Sequence, residues 1–389
     1  MARLGERVIA LASAVAFGMT ATPTQAATPS PAFFASHRLA PGVSTLRLWD
    51  SGTSWAELQP ERGVWRWDRL DAAVTNARER GVQVNLVLGL TPRWASVRPN
   101  APCPYGIGRS APPAELADWT AYVTAVTTRY AGRIAAYEVW NEADLPMFYV
   151  GSVRRLAAMT AETARIVRTI DPGALVLSPS TVPIRGNNWD WMRRFARVGG
   201  YRAVDVVSVH GYPQGNDGPE EGIEQLVAVR DRLRGLGVRQ PWWNTETNYG
   251  MYGVPMAPST QAQYVARTAW LSWTSGFRQV AWYEVLGTEP MGVYLSRLGR
   301  MTAAGRVLKV TRSWMAGDVR GCRSTDRGVY RCTVDYPSGL SAVVMWAKAG
   351  RVRVRVPDGV ARAQGMYGLT RTVGKTVLLG GSPMRFLLR

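Results

Sequence analysis

Residues 134–142 read IAAYEVWNE, and the segments on either side of them decide the fold. The apolar run ends abruptly in Trp140-Asn141-Glu142. An amphipathic stretch, Glu115–Tyr130, precedes it, and a second, Ser152–Ile170, follows. Asp171-Pro172-Gly173 stops that second stretch, because proline cannot continue a helix and disfavours helical backbone just before it. A new apolar run, ALVLS, opens at 174–178. Apolar residues spaced by three and four argue for helix, whereas short continuous Val/Leu/Ile runs suit strands buried on both faces. The segment therefore reads helix–strand–helix–strand, the building unit of a parallel sheet.

Outward from this segment, the same alternation predicts eight strands, at 32–37, 44–49, 82–88, 134–140, 174–178, 204–210, 241–246 and 279–284. Further helices are predicted at Asp68–Arg80, Ile223–Leu236, Thr260–Thr274 and Ala303–Met315, and only Arg38–Val43 is too short for a crossover helix. Eight strand–helix repeats predict an α/β fold, a (β/α)8 TIM barrel spanning residues 27–316. A doubly wound open sheet is the alternative, but no G-x-G-x-x-G follows the first strand. After Gly317 the pattern changes to period two, with Gly, Pro and Asp turns between short strands. Residues 317–389 are therefore expected to form a small C-terminal antiparallel β-sandwich. Within it Arg351, Arg353 and Arg355 share one strand face, opposite Val352, Val354 and Val356. That stripe reads as a solvated outer face, with a dock for an anionic cell-envelope glycan as the sharper alternative.

Composition narrows the function classes. The chain has 389 residues, 46% apolar and 10% aromatic, which is too hydrophobic for a disordered protein. Its formal charge is +19, from 47 basic against 28 acidic residues. Three cysteines and two histidines are too few for a Cys/His zinc cluster, so no metal or other cofactor is expected. Arg3 and Arg7, the apolar Val8–Met19 and the small-x-small Thr24-Gln25-Ala26 read as a signal peptide, residues 1–26. Its apolar core is too short to span a bilayer, and no later stretch is long and apolar enough for a transmembrane segment. The expected product is secreted or held at the cell envelope, where a disulfide can persist. Cys322 and Cys332 lie on two predicted strands with a turn near Asp326–Gly328 and are expected to pair, leaving Cys103 over. No nucleic-acid-binding module is recognisable, and no nucleic acid is expected as partner.

In such a barrel the chemistry sits at the C-terminal strand ends. These read His37, Arg47-Leu48-Trp49-Asp50, Trp140-Asn141-Glu142, His210-Gly211-Tyr212, Asn244-Thr245-Glu246 and Trp282-Tyr283-Glu284. Glu142 and Glu246 thus face each other across one mouth. Two carboxyl groups so placed suit glycosidic cleavage: one protonates the leaving oxygen, the other attacks the sugar or activates water. Glu138, four residues before Glu142, has the same facing and reads as a deeper partner for Arg47 or another base. Glu284 is a third carboxylate, either a substrate ligand or a rival nucleophile. Asp50 and Glu57 bind substrate or pair with arginines, and His37 reads as a packing residue or a support behind the catalytic groups rather than a catalyst. Trp94, Trp189 and Trp191 fall in predicted loops, where an indole can cover the C–H face of a sugar, while Trp119, Trp270 and Trp273 read as core. No G-x-S-x-G or H-E-x-x-H occurs. Gly368 to Gly374-Lys375-Thr376 has the wrong spacing and context for a phosphate loop.

The motifs resemble clan A retaining glycoside hydrolases, with Trp140-Asn141-Glu142 on strand four and a second Glu on strand seven. Arg47-Leu48-Trp49, Trp55, Pro60-Glu61-Arg62-Gly63, Trp65-Arg66-Trp67-Asp68 and Thr91-Pro92-Arg93-Trp94-Ala95 resemble family 39 and nearby family 5-like secreted enzymes. Asp171-Pro172-Gly173-Ala174 and the TAAGRVLK run before Trp314 extend the likeness over most of residues 32–389. The resemblance implies Glu142 as acid/base and Glu246 as the nucleophile of a double displacement. It implies that Asn141 bonds the sugar 2-hydroxyl, that Tyr212 and Arg47 hold Glu246, that His210 tunes Glu142 and that Trp282 is the sugar platform. A polysaccharide or oligosaccharide substrate, endo action along a Trp-rich groove and a monomer are expected. A non-catalytic glycan-binding barrel and an inverting glycosidase using the same glutamates are the alternatives.

Overall fold

A computed structural model describes residues 33–184, 188–249, 256–283, 292–296 and 298–388. The expected signal peptide and Glu284 lie outside the described residues. Eight parallel strands form one sheet: β1 (Phe34–Ser36), β2 (Thr45–Leu48), β3 (Gln83–Leu88), β4 (Ala136–Val139), β5 (Leu175–Leu177), β6 (Val207–His210), β7 (Trp242–Thr247) and β8 (Phe277–Trp282). Their order is β5-β4-β3-β2-β1-β8-β7-β6, and a parallel bridge between Leu177 and Val206 joins the two ends. The sheet is therefore a barrel rather than the open alternative.

Helices cover the barrel: α1 (Trp55–Leu58), α2 (Asp68–Glu79), α3 (Leu116–Tyr130), α4 (Val153–Ile170), α5 (Trp189–Arg197), α6 (Pro219–Gly235), α7 (Pro258–Thr274) and α8 (Ala303–Trp314). No helix separates β1 from β2, as the short connection requires. Local chemistry sets the helix ends: Ser152 caps α4 through the Arg155 N–H, and Thr302 caps α8 through the Gly305 N–H. Two helices were not expected. One is the single turn α1, which Glu57 closes by accepting from the Ser54 N–H and hydroxyl. The other is α5, which takes in Trp189 and Trp191. Trp191 is buried and stacks on Phe195, and Arg232 lies over Trp189. Burying the apolar face of α5 outweighs the loop reading of this stretch, and it places both indoles on a barrel helix.

The C-terminal strands are β9 (Asp318–Ser324), β10 (Val329–Asp335), β11 (Ser341–Ala347), β12 (Val352–Arg355), β13 (Arg362–Gly365), β14 (Thr370–Thr372), β15 (Thr376–Leu379) and β16 (Met384–Leu388). Six of them form an antiparallel sheet, β14-β13-β16-β11-β10-β9, and β12 pairs with β15. Val343, Met345 and Phe386 pack with Val377 and Leu379 between the two layers. Cys332, Val334, Val344 and Trp346 share the barrel's own core cluster. Cys322 and Cys332 are register partners on β9 and β10 and form a disulfide. Buried Glu220 on α6 accepts from Arg267 and from the Trp346 indole at 2.8 Å, which locks the sandwich to the barrel. The Arg351, Arg353 and Arg355 side of β12 is exposed.

Candidate active site

Arg47 on β2 organises the barrel mouth. It has 0% exposure, and all five of its N–H donors meet acceptors. Nε and Nη2 donate to the two oxygens of Glu138 at 2.9 and 2.7 Å. Nη2 also donates to Asn141 Oδ1 at 2.8 Å, and Nη1 donates to Glu246 Oε2 at 2.9 Å. His37 Nε2 and His210 Nε2 lie 3.4 and 3.2 Å from Nη1 and Nη2. A buried guanidinium is tolerated only when so compensated. The Glu138 bidentate bond fixes its plane, and the remaining edges then face Asn141 and Glu246.

A register shift on β7 aims Glu246. Val209 pairs with Asn244, but the next residue, His210, pairs with Glu246 rather than Thr245. A one-residue slip exchanges the faces of a strand, so this irregularity sets Glu246 beside His210. Glu246 is 6% exposed, and Tyr212 donates its hydroxyl to Oε1 at 2.7 Å. Burial pushes the Glu246 carboxyl above its ordinary range, against the pull of Arg47 and of the Tyr212 hydrogen bond. Burial also drives the Tyr212 phenol well up, so it remains a donor.

The Glu142 turn is strained. Trp140 has φ 71° and Glu142 φ 45°, values costly for any side chain with a Cβ. The loop after β5 holds both. Ser180 N donates to Trp140 O at 3.1 Å, Glu142 N donates to Ser180 Oγ at 3.0 Å, and Ala143 N donates to Ser180 O at 3.0 Å. Asp144 accepts from the Val182 N–H, and burial, with Glu142 contributing, pushes its carboxyl up to about 7. Gly89 completes the turn: a Cβ there would meet the Trp140 indole at 3.3 Å.

His210 Nδ1 lies 2.8 Å from Glu142 Oε1. Burial pulls the His210 pKa down to about 4, and His37 falls well below its usual value for the same reason. Both rings are therefore neutral at pH 7. Arg47 offers no lone pair, so a proton on His210 Nε2 would find no acceptor there, and the neutral ring carries its proton on Nδ1. Nδ1–H thus donates to Glu142.

Glu142, His210 and Glu246 each offer one ligand atom, all within 4.8 Å of one another. The protonated Nδ1 has no lone pair for a metal, and the Arg47 charge already sits against Glu246. These donors do not suit a cation.

The remaining expected residues are dispersed. Trp282 ends β8 but is 1% exposed, near Tyr249, so it presents no open platform. Its side chain is captured by the core because β8 is covered on both faces. Trp94 donates to Gln59 O at 3.0 Å and is covered by Arg62 at 4.4 Å. Asp50, with φ 55°, accepts from Tyr283 at 2.6 Å. Tyr105 and Tyr283 at Asp50, and Ser180 and Asp144 at Glu142, escaped the sequence reading. The only signal for Ser180 is the polar SPST run, 178–181, at the end of the fifth strand.

No protein-family model and no curated protein matches the chain. Solved structures match it along nearly its whole length. A family 39 glycoside hydrolase from the gut symbiont Bacteroides cellulosilyticus WH2 has a TM-score of 0.75 at 17% identity, covering 93% of this chain and 81% of that one. The fold is the one seen in glycoside hydrolases. A glucosidase from Croceicoccus marinus follows with a TM-score of 0.70 at 13% identity, covering 94% and 97%. A GH30 endoxylanase from Clostridium papyrosolvens C71 has 0.63 at 13%, covering 94% and 98%.

Proposed function

We propose that this chain is a retaining glycoside hydrolase with Glu142 as acid/base and Glu246 as nucleophile. One observation carries the reading: an oxygen of Glu142 and an oxygen of Glu246 lie within 4.8 Å of each other. Retaining enzymes keep their carboxyl groups about 5–5.5 Å apart, whereas inverting ones need about 6.5–9.5 Å to admit a water. In the first step Glu246 attacks the anomeric carbon while Glu142 gives its proton to the leaving oxygen. In the second, Glu142 takes a proton from water, which displaces Glu246 from the sugar. Arg47 and Tyr212 keep Glu246 ionised against its burial. The His210 Nδ1–H occupies Glu142 Oε1, so the transferable proton sits on Oε2. Arg47 takes Asn141 Oδ1, which leaves the amide N–H to donate to a sugar hydroxyl.

We further read residues 1–26 as an export signal, the substrate as a polysaccharide and the action as endo. Reducing-sugar release from xylans, mannans, glucans, arabinans, galactans and bacterial exopolysaccharides, with wild type and Glu246→Gln in parallel, tests the proposal. Release by wild type alone, with the product anomer first formed retained by NMR, is the expected result. An inverted anomer refutes the double displacement. Equal glycan binding by both proteins with no release by either points to a binding barrel.

A further inference from the structure

A cavity of about 260 Å³ opens between the loops after β2 and β3, lined by Trp49, Asp50, Thr53, Glu57, Arg69 and Tyr105 among others. A chain of side-chain contacts links it to Glu246. Asp50 Oδ2 accepts from Tyr283, whose ring meets His37 edge-on at 4.9 Å, and His37 Nε2 lies 3.8 Å from Glu246. Tyr283 fixes the Asp50 carboxylate, and Tyr105, which takes the Trp49 indole N–H at 3.0 Å, lines the same cavity. The backbone around the cavity is left-handed at three positions: Asp50 has φ 55°, Leu90 has φ 59° and Gly52 has φ 70°. A Cβ at Gly52 would meet the Arg69 side chain, which lines the cavity. Glu57 is pinned by Ser54 on one oxygen.

The mechanism uses none of these groups. Their charges define a ligand. Asp50 and Glu57 accept hydrogen bonds and Arg69 donates them, and two carboxylates against one guanidinium leave the lining net negative, so it repels an anion. Charges of both signs around one small cavity match the paired hydroxyls of a neutral sugar, each both donor and acceptor. The cavity volume falls below the range of about 300–1,000 Å³ that holds drug-sized ligands, so it suits a single ring. We propose that this cavity is a sugar subsite linked to the catalytic pair that takes one glycosyl unit bearing no acidic group, with Asp50 and Arg69 as its specificity determinants. The proposal rests on the glycosidase reading. It selects against a uronate here, despite the net positive charge of the chain.

The test is calorimetric titration of full-length Glu246→Gln with xylotriose, cellotriose and mannotriose, with trigalacturonate, and with the glucosamine trimer. Asp50→Asn and Arg69→Ala are then added singly. Asparagine tolerates the left-handed backbone at position 50, so the loop keeps its shape. A trisaccharide without acidic groups should bind best, and each added substitution should weaken it roughly ten-fold or more, the loss expected for a hydrogen bond to a charged group. Tightest binding of trigalacturonate overturns the proposal. So does binding that both substitutions leave unchanged, or no binding of any ligand. Wild-type hydrolysis of the polysaccharide panel separates the failures: release with the subsite result negative removes only this proposal, and no release removes the glycosidase reading beneath it.

Discussion

Tyr212→Phe should move the acidic limb of the pH–rate profile upward. The substitution removes one oxygen, whose hydroxyl donates to Glu246 Oε1 at 2.7 Å in a buried setting. That hydrogen bond favours the ionised carboxylate and opposes the upward push of burial. A hydrogen bond to a charged group contributes roughly 1.5–3 kcal/mol, and one pKa unit corresponds to about 1.36 kcal/mol. Removing it should raise the Glu246 pKa by about one to two units, nearer one because the Arg47 bond at 2.9 Å remains. Because the nucleophile must be ionised, activity then appears only at a correspondingly higher pH. The measurement is kcat/KM against pH with an aryl glycoside whose leaving group needs no protonation, so that the acid/base does not shape the acidic limb. Loss of one buried hydroxyl leaves the packing nearly intact, and a thermal melt checks this. An acidic limb that stays in place, or moves to lower pH, refutes Glu246 as the group held ionised by Tyr212.

Three other outcomes follow from the same geometry. The chain has two histidines, and burial holds His210 at about 4 and His37 well below its ordinary value, so NMR should show His210 titrating near 4 and neither ring titrating near 6.5. The folded state therefore binds fewer of these protons than the unfolded chain. Their contribution to stability is present above about pH 6.5 and is lost as pH falls toward 4; a ring titrating near 6.5 contradicts this. Ser180→Ala removes the acceptor of the Glu142 N–H, an unmet donor worth about 1–3 kcal/mol. Turnover of substrates with poor leaving groups should drop about ten-fold or more, with activated aryl glycosides spared; equal loss on both would mean that Ser180 does not position the acid. Glu220→Ala strands the buried Arg267 guanidinium and the Trp346 indole N–H. It should cost roughly 3–5 kcal/mol in unfolding experiments, and a loss below about 1 kcal/mol would show that this contact does not lock the sandwich.

Much of the architecture is written in local pattern. The Val/Leu/Ile runs, the helical spacing and stops such as Asp171-Pro172-Gly173 report strands and helices because each depends on neighbours in the chain. Strand order in a barrel follows chain order, so the strand-end residues Arg47, Asn141, Glu142, His210, Tyr212 and Glu246 could be assigned to one mouth before any coordinates. Even the Arg47–Glu138 pair is foreshadowed by the four-residue spacing of Glu138 and Glu142.

What tertiary structure decided concerns packing and register, which no short window contains. The shift that pairs His210 with Glu246 is a property of two strands together. The Trp282 indole is buried because both faces of β8 are covered, and Trp191 becomes core because α5 forms only against the barrel. The strained Trp140–Glu142 turn is held by Ser180, which is 38 residues beyond Glu142 in sequence and 3.0 Å away in space. Sequence determined which side chains this protein brings to the barrel mouth. Only the closed sheet decided which are dry, which are charged and which touch, because desolvation and hydrogen-bond geometry arise when distant segments exclude water together.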